Sequence, residues 1–198
     1  TVMNRYAAIA RALAAAALEV LATAAVRDAE NGPEFVANLR TRLPGVLIRV
    51  LSGEQEAELS AAGMLCGIPD ADGVLADIGG GSLEVVRLRH GRRGEARTLK
   101  LGVLRLAERA GGDPTRARAI AEADLAEVPW LGEGAGHDLY AVGGAWRALA
   151  RIHIAQTGYP LNMVHHYTIS REEARDLTSV IAGASRRVLE RMPGVPRR

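Results

Sequence analysis

Cysteine is almost absent. Cys66 stands alone, so no disulfide can form within the chain. A single cysteine fits a reducing compartment. Aromatic residues make up 4% of the sequence and phenylalanine occurs once, so the core must be aliphatic. Lysine occurs once, at Lys100, and nearly all positive charge is arginine. The formal net charge is +2, too small an excess to argue for a nucleic-acid-binding surface. The arginines near the end (Arg186, Arg187, Arg191, Arg197, Arg198) read as a solvated helix face and tail. No apolar run approaches a membrane span. Ala7–Ala17 is broken by Arg11 and lacks a cleavage pattern, so it does not read as a signal peptide. The expectation is a soluble cytoplasmic protein with no membrane and no nucleic-acid polymer as partner.

The 198 residues suffice for one medium domain or two small ones. Met3–Ala17 reads as a helix and Leu18–Ala25 as a strand. Asn31-Gly-Pro-Glu34 resembles a helix start, leading through Phe35, Val36, Leu39 and Leu43 to a stop at Pro44-Gly45. Val46–Leu51 is a second strand. Ser52 with Gln55 is a capping-box signature for a helix to about Leu65. This β-α-β-α order favours an α/β sheet. Gly67–Gly73 is a turn-rich break that divides the chain into 1–68 and 69–198. Beyond it, Val74–Ile78, Leu83–Arg89 and Glu95–Leu101 read as strands joined by short turns, a meander. Helices are expected over Val103–Ala110 and Pro114–Val128. A strand Leu139–Val142, a helix Ala145–Gln156 and one long helix Ser170–Arg191 follow.

The segment Asp77–Glu84, DIGGGSLE, carries the strongest chemical signal. Gly79, Gly80 and Gly81 lie between two strands, where glycine is kept for tight turns or close approach to a ligand. Successive amides in such a turn form an anion nest, and Ser82 adds a hydroxyl donor. Asp77 and Glu84 flank it. Carboxylates repel phosphate unless a cation intervenes, which suggests Mg²⁺ with phosphate. A plain tight hairpin with two solvated acids is the alternative. A dinucleotide-type loop would open a helix, but Leu83–Leu88 is strand-like and argues against it.

Other candidates are weaker taken singly. Glu54, Glu56 and Glu58 crowd a helix start, where acids stabilise the macrodipole. One of them could instead be a general base; Glu56 shares a face with Leu59, Ser60 and Gly63. Arg27 follows an apolar strand, where a guanidinium can clamp phosphate. Gly143 and Gly144, between strand and helix, form a second possible phosphate cradle. His165-His166 has no evident third metal ligand.

Six segments in order resemble the exopolyphosphatase / guanosine pentaphosphate phosphatase (Ppx/GppA) family. They are ATAAVRDAENGPEF (22–35), LSGEQEAEL (51–59), ADIGGGSLEVV (76–86), LKLGVLRLAER (99–109), YAVGGAWRALARI (140–152) and YTISREEARDL (167–177). The resemblance implies an actin-like (ribonuclease H-like) phosphotransferase fold, α/β, with substrate between two subdomains. Residues 1–68 would end subdomain I and 69–198 would form subdomain II. Carried over by position, Glu56 looks like the catalytic base. Asp77 and Glu84 look like the acids holding Mg²⁺ or orienting water. Gly79, Gly80, Gly81 and Ser82 match the second phosphate loop, Arg27 a phosphate-binding arginine, and Gly143 and Gly144 the later cleft loop. The implied activity is cleavage of terminal phosphoanhydride bonds in inorganic polyphosphate or guanosine pentaphosphate, by a homodimer. A catalytically silent regulator binding guanosine tetraphosphate or phosphate, and an actin-like kinase, are the alternatives.

Against the family pattern, no first phosphate loop of Asp-x-Gly-Ser type precedes Thr1. The chain is therefore expected to be an excerpt of a longer protein. Leu83 and Ala145 stand where threonine is common, and His166 where glycine is common.

Overall fold

The computed structural model describes residues 2–195, and Arg197 and Arg198 of the arginine cluster lie outside them. The first part runs α1 (Val2–Ala12), β1 (Glu19–Ala22), a single turn α2 (Ala24–Arg27), α3 (Gly32–Arg42), β2 (Leu47–Val50) and α4 (Gly53–Gly67). β1 and β2 pair in parallel, from Glu19 opposite Leu47 to Ala22 opposite Val50. Parallel neighbours need a crossover, and α2 with α3 supply it. Ala7, Val36, Leu39, Leu43 and Ile48 form the apolar cluster between these helices and strands.

Local signals placed most of these elements, and three differences have physical causes. Helix α1 stops at Ala12, five residues early. A short helix in water needs packing as well as propensity, and residues 13–17 are all exposed. Strand β1 stops at Ala22 because its partner ends at Val50. The Leu51 amide donates to the Ala22 carbonyl at 2.8 Å, and the chain then coils into α2. Arg27 therefore sits on a helical turn, not at the end of a strand. Asn31 occupies the N-cap of α3 without a side-chain cap bond, and Pro33 opens the helix. The capping box of α4 forms in full, with Ser52 Oγ accepting from Gln55 N at 3.2 Å and Gln55 Oε1 accepting from Ser52 N at 2.9 Å.

The second part contains β3 (Gly73–Ile78), β4 (Leu83–Arg89), β5 (Arg92–Leu99), α5 (Val103–Arg109) and α6 (Pro114–Ala126). A 3₁₀ turn (Pro129–Gly134), β6 (Asp138–Val142), α7 (Gly144–Thr157), α8 (Arg171–Gly183) and α9 (Arg186–Leu189) complete it. The sheet order is β5-β4-β3-β6: an antiparallel meander with β6 added parallel to β3. The β4–β5 turn is tighter than expected. His90 and Gly91 alone make it, at φ +46° and +74°, the left-handed pair that suits right-twisted strands. The last helix is not continuous. Ala184 is extended (φ −82°, ψ 136°) after Gly183, and Ser185 Oγ accepts from Val188 N at 3.4 Å where α9 restarts.

Strands β3 and β4 are covered on both faces, which explains their unbroken apolar runs. Leu75, Val86 and Leu88 pack on Ala57 and Ala61 of α4. Ala76, Leu83 and Val85 face Val128, with α6 and Trp146 packed beyond. Small residues on α4 let it lie close to the sheet. That closeness places Glu56 and Ser60, the neighbours of Ala57 and Ala61 on the helix, beside the strand ends.

Candidate active site

The β3–β4 register puts Asp77 directly opposite Glu84. Directly paired residues share a face of the sheet, here the face that carries Leu75 and Val86 under α4. Two like charges thus meet in a covered place. Glu84 is 3% exposed, and its Oε1 has no hydrogen-bond partner among the described residues. Burial pushes its carboxyl up to about 7, and the charges of Glu56 and Asp77 add to the rise. The Ser82 hydroxyl and Arg27 oppose it without prevailing. Asp77 is steadied from α4, where Ser60 Oγ donates to its Oδ2.

Glu56, one helical turn before Ser60, is handled differently. Arg27 Nη1 donates to its Oε1, and the two side chains are 21% and 15% exposed. Nη1 also donates to the Leu51 carbonyl at 2.9 Å, and Nε donates to Asp28 Oδ1 at 3.2 Å. Asp28 Oδ2 accepts in turn from Arg105 Nη1 at 2.7 Å. Burial works against charge on Arg27, but the bond and charge of Glu56, then those of Asp28, hold it above its ordinary value. Burial likewise raises Asp28, yet the Arg105 bond and the Arg27 charge outweigh it and hold that carboxyl low. Glu54 and Glu58 remain exposed, each 3.9 Å from Arg93. Leu59, expected on the Glu56 face, turns outward.

The loop Gly79–Ser82 closes with Gly79 N donating to Ser82 O at 3.0 Å. The first turn of α5 spends its free amides here: Val103 N donates to Gly79 O and Leu104 N to Gly80 O, both at 3.0 Å. The carbonyls of Gly79 and Gly80 are thereby engaged, while the amides of Gly80 and Gly81 have no acceptor among the described residues. A side chain at Gly81 would come within 2.9 Å of Ala24 Cβ on α2. Glycine here permits the close approach that seats the loop beside Arg27's helix. Gly143 adopts φ +115°, and a Cβ there would run into the Ile78 carbonyl and stand 3.3 Å from Asp77 Oδ1. Gly144 opens α7 immediately after it.

The ten residues given site roles by the resemblance therefore lie in one connected neighbourhood. Asp28, Ser60 and Arg105 were missed. Ser60 carried a usable signal, its one-turn spacing from Glu56; Arg105 carried none, because its partner is 77 positions away. Among the described residues no group of three or more His, Cys, Asp or Glu side chains forms that could hold a metal. His165 and His166 stack edge to face instead, with ring centroids 4.3 Å apart. His166 takes φ +58°, in keeping with a position where glycine is common. The Asp77–Glu84 pair, with its orphaned buried oxygen, fits a hard divalent cation that draws its other ligands from phosphate and water.

The sequence matches the Ppx/GppA phosphatase family over residues 1–198. Exopolyphosphatase 2 of Mycobacterium tuberculosis is 29% identical over 203 residues, 91% of this chain and 60% of that protein. Exopolyphosphatase 1 of Mycobacterium bovis is 35% identical over 161 residues, 76% of this chain and 46% of that protein. Among solved structures, an exopolyphosphatase from Cytophaga hutchinsonii superposes with TM-score 0.82 at 20% identity, covering 98% of this chain and 65% of that one. The type II variant of the Aquifex aeolicus Ppx/GppA phosphatase gives TM-score 0.70 at 18% identity, covering 98% and 66%. These superpositions establish that the chain has the α/β fold of the Ppx/GppA phosphatases. The chain spans about 60% of the length of the first of these relatives.

Proposed function

Because the chain belongs to the Ppx/GppA phosphatase family, we propose that it carries the base and one phosphate loop of a phosphohydrolase. The reaction is cleavage of terminal phosphoanhydride bonds in inorganic polyphosphate, with guanosine pentaphosphate as a second substrate of the same chemistry. The observation supporting this most directly is the convergence of Glu56, Arg27, the Asp77–Glu84 pair and the loop Gly79–Ser82.

In this reading the terminal phosphoryl group rests on the free amides of Gly80 and Gly81 and the donors Arg27 keeps open. Gly143 lets the chain pack against the end of β3 beside Asp77, and Gly144 opens α7 there as a second phosphate cradle. Glu56 accepts the proton of the attacking water, and Arg27 holds its carboxylate in place meanwhile. Asp77 and Glu84 would hold Mg²⁺, which when bound neutralises phosphate charge. Fixed donors aimed at developing charge supply most of the acceleration such sites achieve.

The test is Mg²⁺-dependent phosphate release from polyphosphate and from guanosine pentaphosphate, comparing the protein with Glu56→Gln. Release that Glu56→Gln does not slow removes Glu56 from the mechanism. Tight phosphate binding with no release on any substrate points to a silent regulator, and transfer to an acceptor other than water to a kinase.

A further inference from the structure

The charge chain that begins at Glu56 continues past Arg27. Asp28 accepts from Arg27 Nε at 3.2 Å and from Arg105 Nη1 at 2.7 Å, so one carboxylate joins two guanidiniums. Arg105 is tied to the glycine loop as well, because its backbone amide donates to Gly80 O at 3.2 Å. Its side chain is only 23% exposed.

The donor inventory indicates a use for this arrangement. A guanidinium carries five N–H groups in a rigid fork. Arg27 spends three of them, on Leu51 O, Glu56 and Asp28. Arg105 spends one, on Asp28. Nη2 of Arg27, and Nε and Nη2 of Arg105, have no acceptor among the described residues. Two forks with open donors are therefore fixed side by side next to the loop, and fixing them in advance lowers the entropy cost of binding.

We propose that Arg105 forms a second phosphate subsite, taking the penultimate phosphoryl group of a substrate whose terminal group lies on Arg27 and the glycine loop. The inference rests on the phosphohydrolase reading above and assigns a residue to the second of two adjacent phosphoryl groups. A polyphosphate chain and a nucleoside polyphosphate both present that pair. Asp28 acts as the spacer that sets the two forks apart.

The experiment is calorimetric titration of the 198-residue chain with orthophosphate, tripolyphosphate and guanosine triphosphate in Mg²⁺. Arg105→Gln is expected to weaken tripolyphosphate and guanosine triphosphate about tenfold, the scale of a charge-assisted hydrogen bond, and orthophosphate less than about twofold. Arg105→Lys keeps the charge without the fork and is expected to weaken tripolyphosphate about threefold; it carries the test if the glutamine variant does not fold. Asp28→Asn is expected to narrow the preference for tripolyphosphate over orthophosphate. Equal weakening of orthophosphate and tripolyphosphate, no weakening of either, or a loss confined to the nucleotide overturns the subsite. Failure of the unmodified chain to bind any of the three overturns the phosphohydrolase reading itself, a result separate from the variant pattern.

Discussion

Glu56 and Glu84 are both covered, and the protein treats their charges in opposite ways. Glu56 faces Arg27, and its negative charge is answered within the fold. Glu84 faces Asp77 across a strand pair, with one oxygen unpartnered among the described residues, and burial raises its carboxyl to about 7. The Arg27 bond fixes the orientation of the Glu56 carboxylate. A buried carboxylate beside a like charge must take a proton or a cation. The two acids therefore differ in what answers their charge: for Glu56 it is a guanidinium of the fold, and for Glu84 it is no side chain among the described residues.

Replacing Glu56 tests one side of this contrast with the largest expected effect. Glu56→Gln is expected to slow phosphate release by roughly 10²–10⁴-fold, the contribution of a positioned general base, with little change in folding measured by urea unfolding. A loss below about tenfold would mean another group takes the proton.

Glu84→Gln tests the other side. The folded carboxyl titrates near 7 and the unfolded one at 4.5. Between those values the folded state binds more protons, so stability falls as pH rises from 4.5 to 7 and the loss is complete above 7. The full cost at pH 8 is about 3 kcal/mol. Glu84→Gln should recover that amount at pH 8, recover nothing near pH 4.5, and flatten the pH dependence between. Mg²⁺ should raise the melting temperature of the unmodified protein at pH 8 more than that of Glu84→Gln. Equal shifts in the two would remove Glu84 from the metal site.

Between these acids and the loops stands Gly143. Gly143→Ala places a side chain at φ +115°, against the Ile78 carbonyl and near Asp77 Oδ1. A destabilisation of about 1–3 kcal/mol is expected from the backbone alone, read from the midpoint of urea unfolding. An unchanged midpoint would show that the loop relaxes freely. The smallest effect belongs to Ser60. Ser60→Ala removes the hydroxyl bound to Asp77 and should cost about 1 kcal/mol, with Ser60→Thr retaining most of it. A loss in Ser60→Thr as large as in Ser60→Ala would mean the hydroxyl bond is not the cause.

Legibility followed the range of the interaction. The capping box of Ser52 with Gln55 formed as its spacing indicated because both partners lie in one helical turn, and Ser170 with Glu173 forms a second of the same kind. The β3–β4–β5 meander was legible because strand-like runs and short turns are local patterns. The end of α1 at Ala12 was not, since packing rather than alanine content decides where a short helix frays. The break at Gly183–Ser185 was missed for a similar reason: favourable residues on both sides masked a local stop. Asp77, Glu84 and the glycines were visible as residue types, and their meeting with Glu56 was visible only through the resemblance of six ordered segments.

By itself, then, the amino-acid order determined the elements with short-range causes, the glycine loop between two strands, and the acids that flank it. Tertiary structure alone decided which acid faces a guanidinium and which faces another acid. Arg27 reaches Glu56 because α2 and α4 are brought together, and Glu84 meets Asp77 because of one strand register. Arg105 reaches Asp28 across 77 residues of chain. Charge depends on neighbours in space, and the order of residues along a chain names those neighbours only when they lie within a turn or two.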